Sequence, residues 1–528
     1  MKKVLIWIDN HLLEFLAIFL IVFIPTYPKF PLFDLIPGYI VRARLEDILV
    51  LIAFFTFCVY VVRKKVNLRN NPLTWPIIVY AIVGLLSCLS AIFVTQSVPL
   101  EVNHVGKMFL HYFRRLEYFS LFFIVFSSVK TVPQVKRYIY AIFIVMLIVS
   151  IYGFAQKYMY FPAFSTMNRE FSKGWALYLT EHARVLSTFG GHYDLAAYLM
   201  MTLTLVLGFI LTIKARVIRI ALVVLYAFSF WILILTASRI SFLAYLGSIS
   251  LCIGGVYYWD KKLPKAIISF AVVMSLSLII MISFGDLSSR FSGLIKNEQL
   301  NSIIEKAKNP FTTKPTQKAQ FLENNPESPL AVSDQQPTPT KPSDVINEQP
   351  IYVVATNAAG ESTLTAVPRQ YSENALKYDL STAIRLDKLW PQAINGFKAN
   401  PIFGSGYSTL TKSSKYEFTE AESTDNDYLR ALGETGLAGF TAFFGILGYV
   451  LFISFRALKK TDDPVLAGTL VGISCAVLGL MANALYIDIF EASKVAFTLW
   501  AMVAILIATA QLILQRSLGG KTPKNRKK

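Results

Sequence analysis

The chain has 528 residues, of which 54% are apolar and only 16% carry a charge, against roughly a quarter charged in an ordinary soluble domain. So little charge cannot clothe a chain of this length in water, which excludes a soluble enzyme, and apolar runs of about twenty residues recurring along almost the whole sequence exclude disorder, collagen and coiled coil. The excess of 51 Lys and Arg over 33 Asp and Glu, a net +18, would suggest nucleic acid in a soluble protein; here it falls mostly in short loops between apolar runs, where it sets orientation in a bilayer.

Twelve spans are predicted, near residues 12–28, 45–62, 73–94, 108–129, 138–158, 193–213, 217–237, 240–259, 264–284, 437–455, 465–487 and 495–515. Each is long enough to cross about 30 Å of hydrocarbon, where the backbone must satisfy its own hydrogen bonds, so helices are the default. The first run, MKKVLIWIDNHLLEFLAIFLIVF, lacks a small-residue cleavage site and reads as an uncleaved span. Lys and Arg concentrate in alternate segments: Lys2 and Lys3, the stretch RKKVNLR, the turns near 130–137, 214–219, 261–265 and 456–460, and the basic tail 516–528. The opposite short loops are poor in both, which puts both termini in the cytoplasm. The four cysteines, Cys58, Cys88, Cys252 and Cys475, all lie inside apolar runs and imply no disulfide framework.

The chain thus divides into spans one to nine over 1–284, an exported loop at 285–436, and spans ten to twelve over 437–515. A smaller exported loop lies at 159–192. The middle of the large loop, 309–368, holds nine of the 23 prolines amid Thr, Ser, Gln and Asn, and is expected to stay mobile because it cannot bury enough apolar surface to offset the entropy of ordering. Its C-terminal flank, YSENALKYDLSTAIRLDKLWPQAINGFKANP, has helical spacing, and DNDYLRALGETG leads into span ten.

Polar residues inside or beside the spans are the candidates for chemistry. On span four, Lys107, His111, Arg114 and Tyr118 are 4, 3 and 4 residues apart and share one helical face. The stripe reaches roughly 16 Å along the helix, a depth at which cations are costly unless they line a cavity or meet an anion. The alternative is that Arg114 or Arg115 pairs with Glu117 or snorkels. Arg184 and His192 flank STFGG before span six, Arg239 follows TAS in the turn to span eight, and Arg385 lies in the helical part of the large loop. Topology puts all of these on one side of the membrane. Guanidinium groups clustered at a lipid–water boundary suit a diphosphate, since their forks bind phosphate oxygens bidentately and never lose their charge. On the same side Asp425, Asp427 and Glu434 supply carboxylates; a carboxylate or His192 could take the proton of an acceptor hydroxyl, although Asp425 could also be a helix N-cap. The five histidines lack ligand spacing, and the glycines of IFGSGYST and FGGH have no Walker lysine after them and no dinucleotide-binding strand before them. No metal and no cofactor are expected.

Three segments give the arrangement a family likeness. RVLSTFGGHYDLAAYLMM, LILTASRISFLAYLGSIS, and RLDKLWPQAINGFKANPIFGSGYSTL followed by TDNDYLRALGETGLAG together resemble the blocks of the O-antigen ligase/polymerase family of bacterial membrane glycosyltransferases. The resemblance implies an all-α, GT-C-like polytopic membrane protein with about 12 transmembrane helices and one large, partly helical exported loop, seated in the bacterial cytoplasmic (inner) membrane. It also implies a metal-independent glycosyltransferase that moves or polymerises a glycan on the exported face. The donor would be linked to undecaprenyl diphosphate and the acceptor would be a glycan, a lipid or a protein. The family's phosphate-binding arginines fall on Arg184, Arg239 and Arg385, with Arg114 as a further candidate. Where the family ligases carry a histidine base this chain has Asp425, and an asparagine of the first block appears as His192, which leaves polymerisation or another glycan transfer at least as well supported as ligation. Two other classes compete: a small-anion transporter of the bicarbonate type, using the cationic stripe as its path, and a non-catalytic partner of a polysaccharide export system. A transporter has no need of about 150 exported residues with helical flanks, which is what separates the readings.

Overall fold

The computed structural model describes residues 2–283 apart from 38, 40 and 168–169, the strands 351–356 and 362–367, and residues 370–519 apart from 420–422. Most of the Pro/Thr-rich stretch and the basic tail beyond 519 lie outside the described residues. Within the stretch expected to lack structure, β3 (Ile351–Thr356) and β4 (Ser362–Val367) pair as an antiparallel hairpin. Both are rich in β-branched residues, which fit a pleated strand.

Each of the twelve predicted spans is a helix: α1 Lys2–Thr26, α2 Leu45–Val62, α3 Thr74–Phe93, α4 Val102–Ser128, α5 Val132–Tyr158, α6 His192–Thr212, α7 Arg216–Leu235, α8 Arg239–Asp260, α9 Leu263–Ser283, then, after three short helices, α13 Asp427–Leu458, α14 Pro464–Asn483 and α15 Ser493–Gly519. Among the described residues eleven of these are long and apolar enough to cross a membrane. The exception is α4, whose N-terminal part carries Lys107, His111, Arg114, Arg115 and Glu117; it is lodged in the bundle against α15, α1 and α2. The chain is an all-α polytopic membrane protein, and its four cysteines are free thiols within helices.

The core is centred on α6, which is buried along almost its whole length and packs against α14, α8 and α7. Lipid is as apolar as leucine, so close van der Waals packing must hold such helices together, and small residues permit it. At the α6–α14 crossing a Cβ on Gly208 would lie 3.1 Å from the Gly468 carbonyl oxygen. At the rim, α9 packs on α8 and is otherwise exposed.

Because consecutive helices run antiparallel, the segments 27–44, 94–101, 159–191, 236–238, 370–426 and 484–492 gather at one end of the bundle. There β1 (Pro31–Asp34) pairs with β2 (Arg42–Arg44), and Arg42 donates to the Ser172 carbonyl at 3.1 Å. The flank expected to be helical forms α10 (Glu373–Lys377), α11 (Leu380–Ile384), a π-helical turn at Arg385–Leu389, and α12 (Trp390–Ala399). The helix expected over 437–455 instead starts at Asp427 and breaks at Gly436, where φ is +64°. The break frees backbone groups that need partners at membrane depth. The loop 401–406 supplies them: Leu437 N–H donates to Pro401 O at 2.8 Å, Ala438 N–H to Ile402 O at 3.1 Å, and Gly433 and Glu434 carbonyls accept from Ser405 and Gly406 N–H at 2.8 and 2.9 Å. IFGSG therefore braces a kink.

Candidate functional site

Arg184, Arg239 and Arg385 line one cavity of about 240 Å³ at that end of the bundle. Arg239 is the first residue of α8, directly after a turn in which Ala237 holds φ at +50°. Arg385 opens the π-helical turn, a rare element that occurs often at functional sites. Arg184 arrives on the segment just before α6. The rest of the lining mixes polar residues, Tyr193, Asp379, Ser381, Thr382 and Tyr486, with apolar ones, Ala237, Ile240, Leu243 and Ile487.

Each guanidinium has a partner, and the partners differ. Arg385 is almost buried; its Nη2 lies 2.9 Å from Asp425 Oδ2, its Nη1 donates to the Ser381 carbonyl at 2.8 Å, and its plane lies 4.4 Å from the centre of the Tyr486 ring. Its Nε has no hydrogen-bond partner among the described residues. Arg239 Nη2 is 3.5 Å from Asp379 Oδ2, a loose contact. Asp379 is committed elsewhere, since its other oxygen accepts the Thr382 N–H at 2.5 Å as the N-cap of α11. The contacts of Arg184 are with neutral-type side chains: its Nη1 donates to His192 Nε2 at 2.5 Å and reaches the Tyr193 hydroxyl at 3.4 Å. An arginine can only donate, so Nε2 is the accepting nitrogen of His192.

Asp425 stands beside the cavity with φ at +50°. Its side chain keeps 32% of its surface exposed while touching Arg385, and Ser423 Oγ donates to it at 2.8 Å. Burial, opposed by Arg385 and reinforced by the charge on Asp488, raises its carboxyl above the ordinary range. Of the polar groups expected at the site, Asp425 combines partial exposure, contact with an arginine of the cavity and a raised proton affinity. His192 has its accepting nitrogen turned toward Arg184.

The other candidates are placed elsewhere. Glu434 is buried and saturated: Arg115 donates to it at 2.7 Å, Arg430 Nε at 3.2 Å and the Ser408 N–H at 3.0 Å. Asp427 accepts the backbone N–H groups of Ile489 and Phe490 at 2.7 and 3.1 Å, which ties the α14–α15 connection to α13. Asp488, beside it, accepts from Arg430 at 3.0 Å and from Ser423, Thr424 and the Asn426 N–H. Burial would raise the Asp488 carboxyl, but Arg430 and these hydrogen bonds bring it below the usual range.

The stripe on α4 does not act as one face. His111 Nε2 is 2.8 Å from the Tyr39 hydroxyl, and the Lys107 ammonium lies over the Tyr39 and Phe418 rings. The Tyr118 hydroxyl donates to the Glu491 carbonyl at 3.0 Å. Arg114 is held by Asp47 at 2.5 Å and Glu117 at 2.9 Å and is not among the residues lining the arginine cavity. Two carboxylates neutralise it, so it is withdrawn from the diphosphate-binding set. Residues that sequence reading passed over include Tyr486, Asp379, Tyr193 and Thr382. Asp379 had a signal, an aspartate three residues before Thr382 at a helix start; Tyr486, in a short loop between apolar helices, had none.

Residues 223–444 match the family model described as O-antigen ligase. A search of curated proteins finds no match. This stretch is similar to the O-antigen ligase family, in agreement with the motif resemblance, and the similarity supports glycan transfer of the O-antigen ligase or polymerase type. The matched segment contains Arg239, Asp379, Arg385 and Asp425; Arg184, Tyr193 and Tyr486 enter the same cavity from outside it.

Proposed function

We propose that the chain transfers or polymerises a glycan from an undecaprenyl-diphosphate donor on the exported face of the cytoplasmic membrane, with both termini in the cytoplasm. The observation that carries this reading is the meeting of Arg184, Arg239 and Arg385 in one cavity with Asp425 bound to Arg385. The three guanidiniums hold the diphosphate. The acceptor hydroxyl oxygen forms a bond to the anomeric carbon, the bond from that carbon to the diphosphate oxygen breaks, and its electron pair leaves with the polyprenyl diphosphate. Asp425 accepts the hydroxyl proton. Charge on the leaving oxygen grows along the reaction, so the arginines bind most strongly in the transition state, and that difference is what accelerates the step. No step calls for a metal ion.

The test is purified protein incubated with a lipid-diphosphate glycan, with product length and acceptor identity read by mass. Longer chains on the carrier lipid indicate polymerisation; transfer to a second molecule indicates ligation. Arg239→Ala and Arg385→Ala, folded and inserted, are each expected to lose roughly 10²-fold or more in kcat/KM, the scale on which single preorganised charge-stabilising donors act. Unchanged polymer length and yield in both variants would overturn the reading.

A further inference from the structure

Arg184 and His192 stand four residues before and four residues after Thr188, and the bond from Arg184 Nη1 to His192 Nε2 closes the segment between them on itself. This segment, RVLSTFGGH, is held to the bundle almost residue by residue. The Val185 N–H donates at 3.2 Å to the carbonyl of Leu235, the last residue of α7 and four residues before Arg239. Ser187 and Gln156 of α5 exchange two hydrogen bonds: the Ser187 N–H donates to Oε1 at 2.7 Å, and Nε2 donates to the Ser187 carbonyl at 2.8 Å. The Gly190 carbonyl accepts from the Thr166 N–H at 2.8 Å and from Ser165 Oγ at 3.1 Å. A Cβ on Gly190 would overlap Thr166 Oγ1, so the first glycine of FGGH admits the neighbouring loop.

The midpoint is held by a lysine that sequence reading passed over. Lys494, the second residue of α15, is fully buried. Its Nζ donates to Thr188 O at 2.8 Å, to Tyr27 O at 2.5 Å and to Pro25 O at 3.3 Å. An ammonium has three N–H donors and no acceptor, and here three carbonyls meet it. Pro25 and Tyr27 lie at the end of α1, where carbonyls lack helical partners, and Thr188 Oγ1 donates to the same Pro25 carbonyl at 2.5 Å. A helix end alone could be capped by a neutral hydroxyl or amide. What the lysine adds is a single point that binds two distant stretches of chain, the end of α1 and the middle of the segment.

We infer that Lys494 is a positioning residue of the arginine cavity: by fixing Thr188 it sets where Arg184 presents its guanidinium to the donor diphosphate. The inference rests on the proposed glycosyl transfer and deepens it. Arg385 is fixed by Asp425, Ser381 and Tyr486, which come from other parts of the chain or from its own helix. Arg184 is different, because His192 and Tyr193, the side chains it contacts, follow directly on the same segment. A displacement of the segment therefore carries the arginine and its partners together, and the anchors of the segment are what oppose it. Lys494 is the anchor at its centre.

The experiment is a mutant cycle in the full chain, with the lipid-diphosphate glycan as donor and its KM and kcat as readouts. Lys494→Met nearly keeps the length of the side chain and removes all three donors. It is expected to raise the donor KM roughly tenfold, the scale of one weakened hydrogen bond to a charged group, with a smaller change in kcat. In an Arg184→Ala background the same substitution is expected to change KM less than about twofold, because the residue it acts through is gone. In an Arg385→Ala background it keeps its full effect. Gly190→Ala, which pushes the segment from its other side, is expected to follow the same pattern and stands in if Lys494→Met fails to insert. A rise in KM of equal size with and without Arg184, as general loosening of the fold would give, overturns the positioning role, and so does no rise from either substitution. Failure of the unaltered protein to use the donor would instead overturn the glycosyl-transfer reading itself.

Discussion

Arg385 and Arg430 occupy the same end of the bundle and each contacts an aspartate, yet their surroundings differ in kind. Arg430, together with Arg115, is enclosed by Glu434, Asp488 and Glu491, two guanidiniums against three carboxylates. The space left beside Arg115 and Glu434 is about 20 Å³, no more than a water molecule. Around Arg385 the balance is reversed: Arg184, Arg239 and Arg385 line a 240 Å³ cavity with Asp379, and Asp425 contacts Arg385 beside it. One contact there is as long as 3.5 Å and one arginine is met by a histidine nitrogen rather than a carboxylate. A buried network in which each guanidinium meets carboxylates at short contact, with no room beside it, fixes helices in place; one with more cations than carboxylates and room beside them suits an anionic ligand. Residue type does not separate the two regions. Stoichiometry and free volume do.

The largest effect that can break this comparison is expected from Asp425→Asn. The amide keeps the shape and cannot take a proton, so kcat should fall by about 10²- to 10⁴-fold while the KM for donor does not rise, because Arg385 loses a competitor for the phosphate. The pH profile supplies the sign. A base works as the carboxylate, and burial places the Asp425 carboxyl above the ordinary range, so kcat/KM of the unaltered protein should climb as pH rises through that raised value and then level off. The Asn variant should lose the climb. Glu434→Gln, in the closed network, should leave the position of the climb unchanged, and a shift there would blur the distinction between the regions.

Next in size is Arg430→Ala. It leaves the buried carboxylate of Asp488 without its cation and Glu434 with Arg115 alone as its cation, a defect worth about 3–5 kcal/mol, and should appear as a large loss of thermal stability in detergent. Arg385→Ala leaves only the part-exposed Asp425 without its cation, so it should unfold close to the unaltered protein while losing transfer. Equal destabilisation by both would mean that the open cluster is structural as well. A smaller loss of stability is expected from Gly436→Ala, because φ there is +64° and the new Cβ would lie 2.3 Å from the Ile402 carbonyl oxygen; the left-handed backbone alone costs about 1–3 kcal/mol.

How much of this could be read from the sequence follows from what kind of information each feature uses. The twelve helices are local, written in runs of apolar residues. The gathering of Arg184, Arg239 and Arg385 follows from parity, since antiparallel helices return every second loop to the same end, and that needs only a count. The α4 stripe shows where such reasoning stops. Periodicity correctly put Lys107, His111, Arg114 and Tyr118 on one side of a helix, but their partners Tyr39, Asp47 and Glu491 are dozens to hundreds of residues away, and no spacing rule reveals that they divide the stripe into separate contacts. The glycines of IFGSG are similar: weak as a motif, they acquire meaning only against the kink at Gly436, because the two backbones satisfy each other.

The smallest expected effect sharpens the description of the open cluster most finely. Tyr486 contributes to Arg385 in two ways: its ring lies under the guanidinium at 4.4 Å, and its hydroxyl is 3.1 Å from Thr382 Oγ1, a hydrogen bond that fixes the ring. Tyr486→Phe removes the second and keeps the first, so donor KM should rise only several-fold, in line with about 0.5–1.5 kcal/mol for one hydrogen bond. Tyr486→Ala removes both, and an arginine whose Nε already lacks a hydrogen-bond partner among the described residues would also lose the aromatic face that stabilises it, worth about 0.5–2 kcal/mol more. In both variants kcat should change less than KM, because a ring that positions a binding cation touches no reacting atom. If Phe proved as damaging as Ala, the hydroxyl itself would have to contact the donor, and Tyr486 would move from support of Arg385 into the phosphate-binding set.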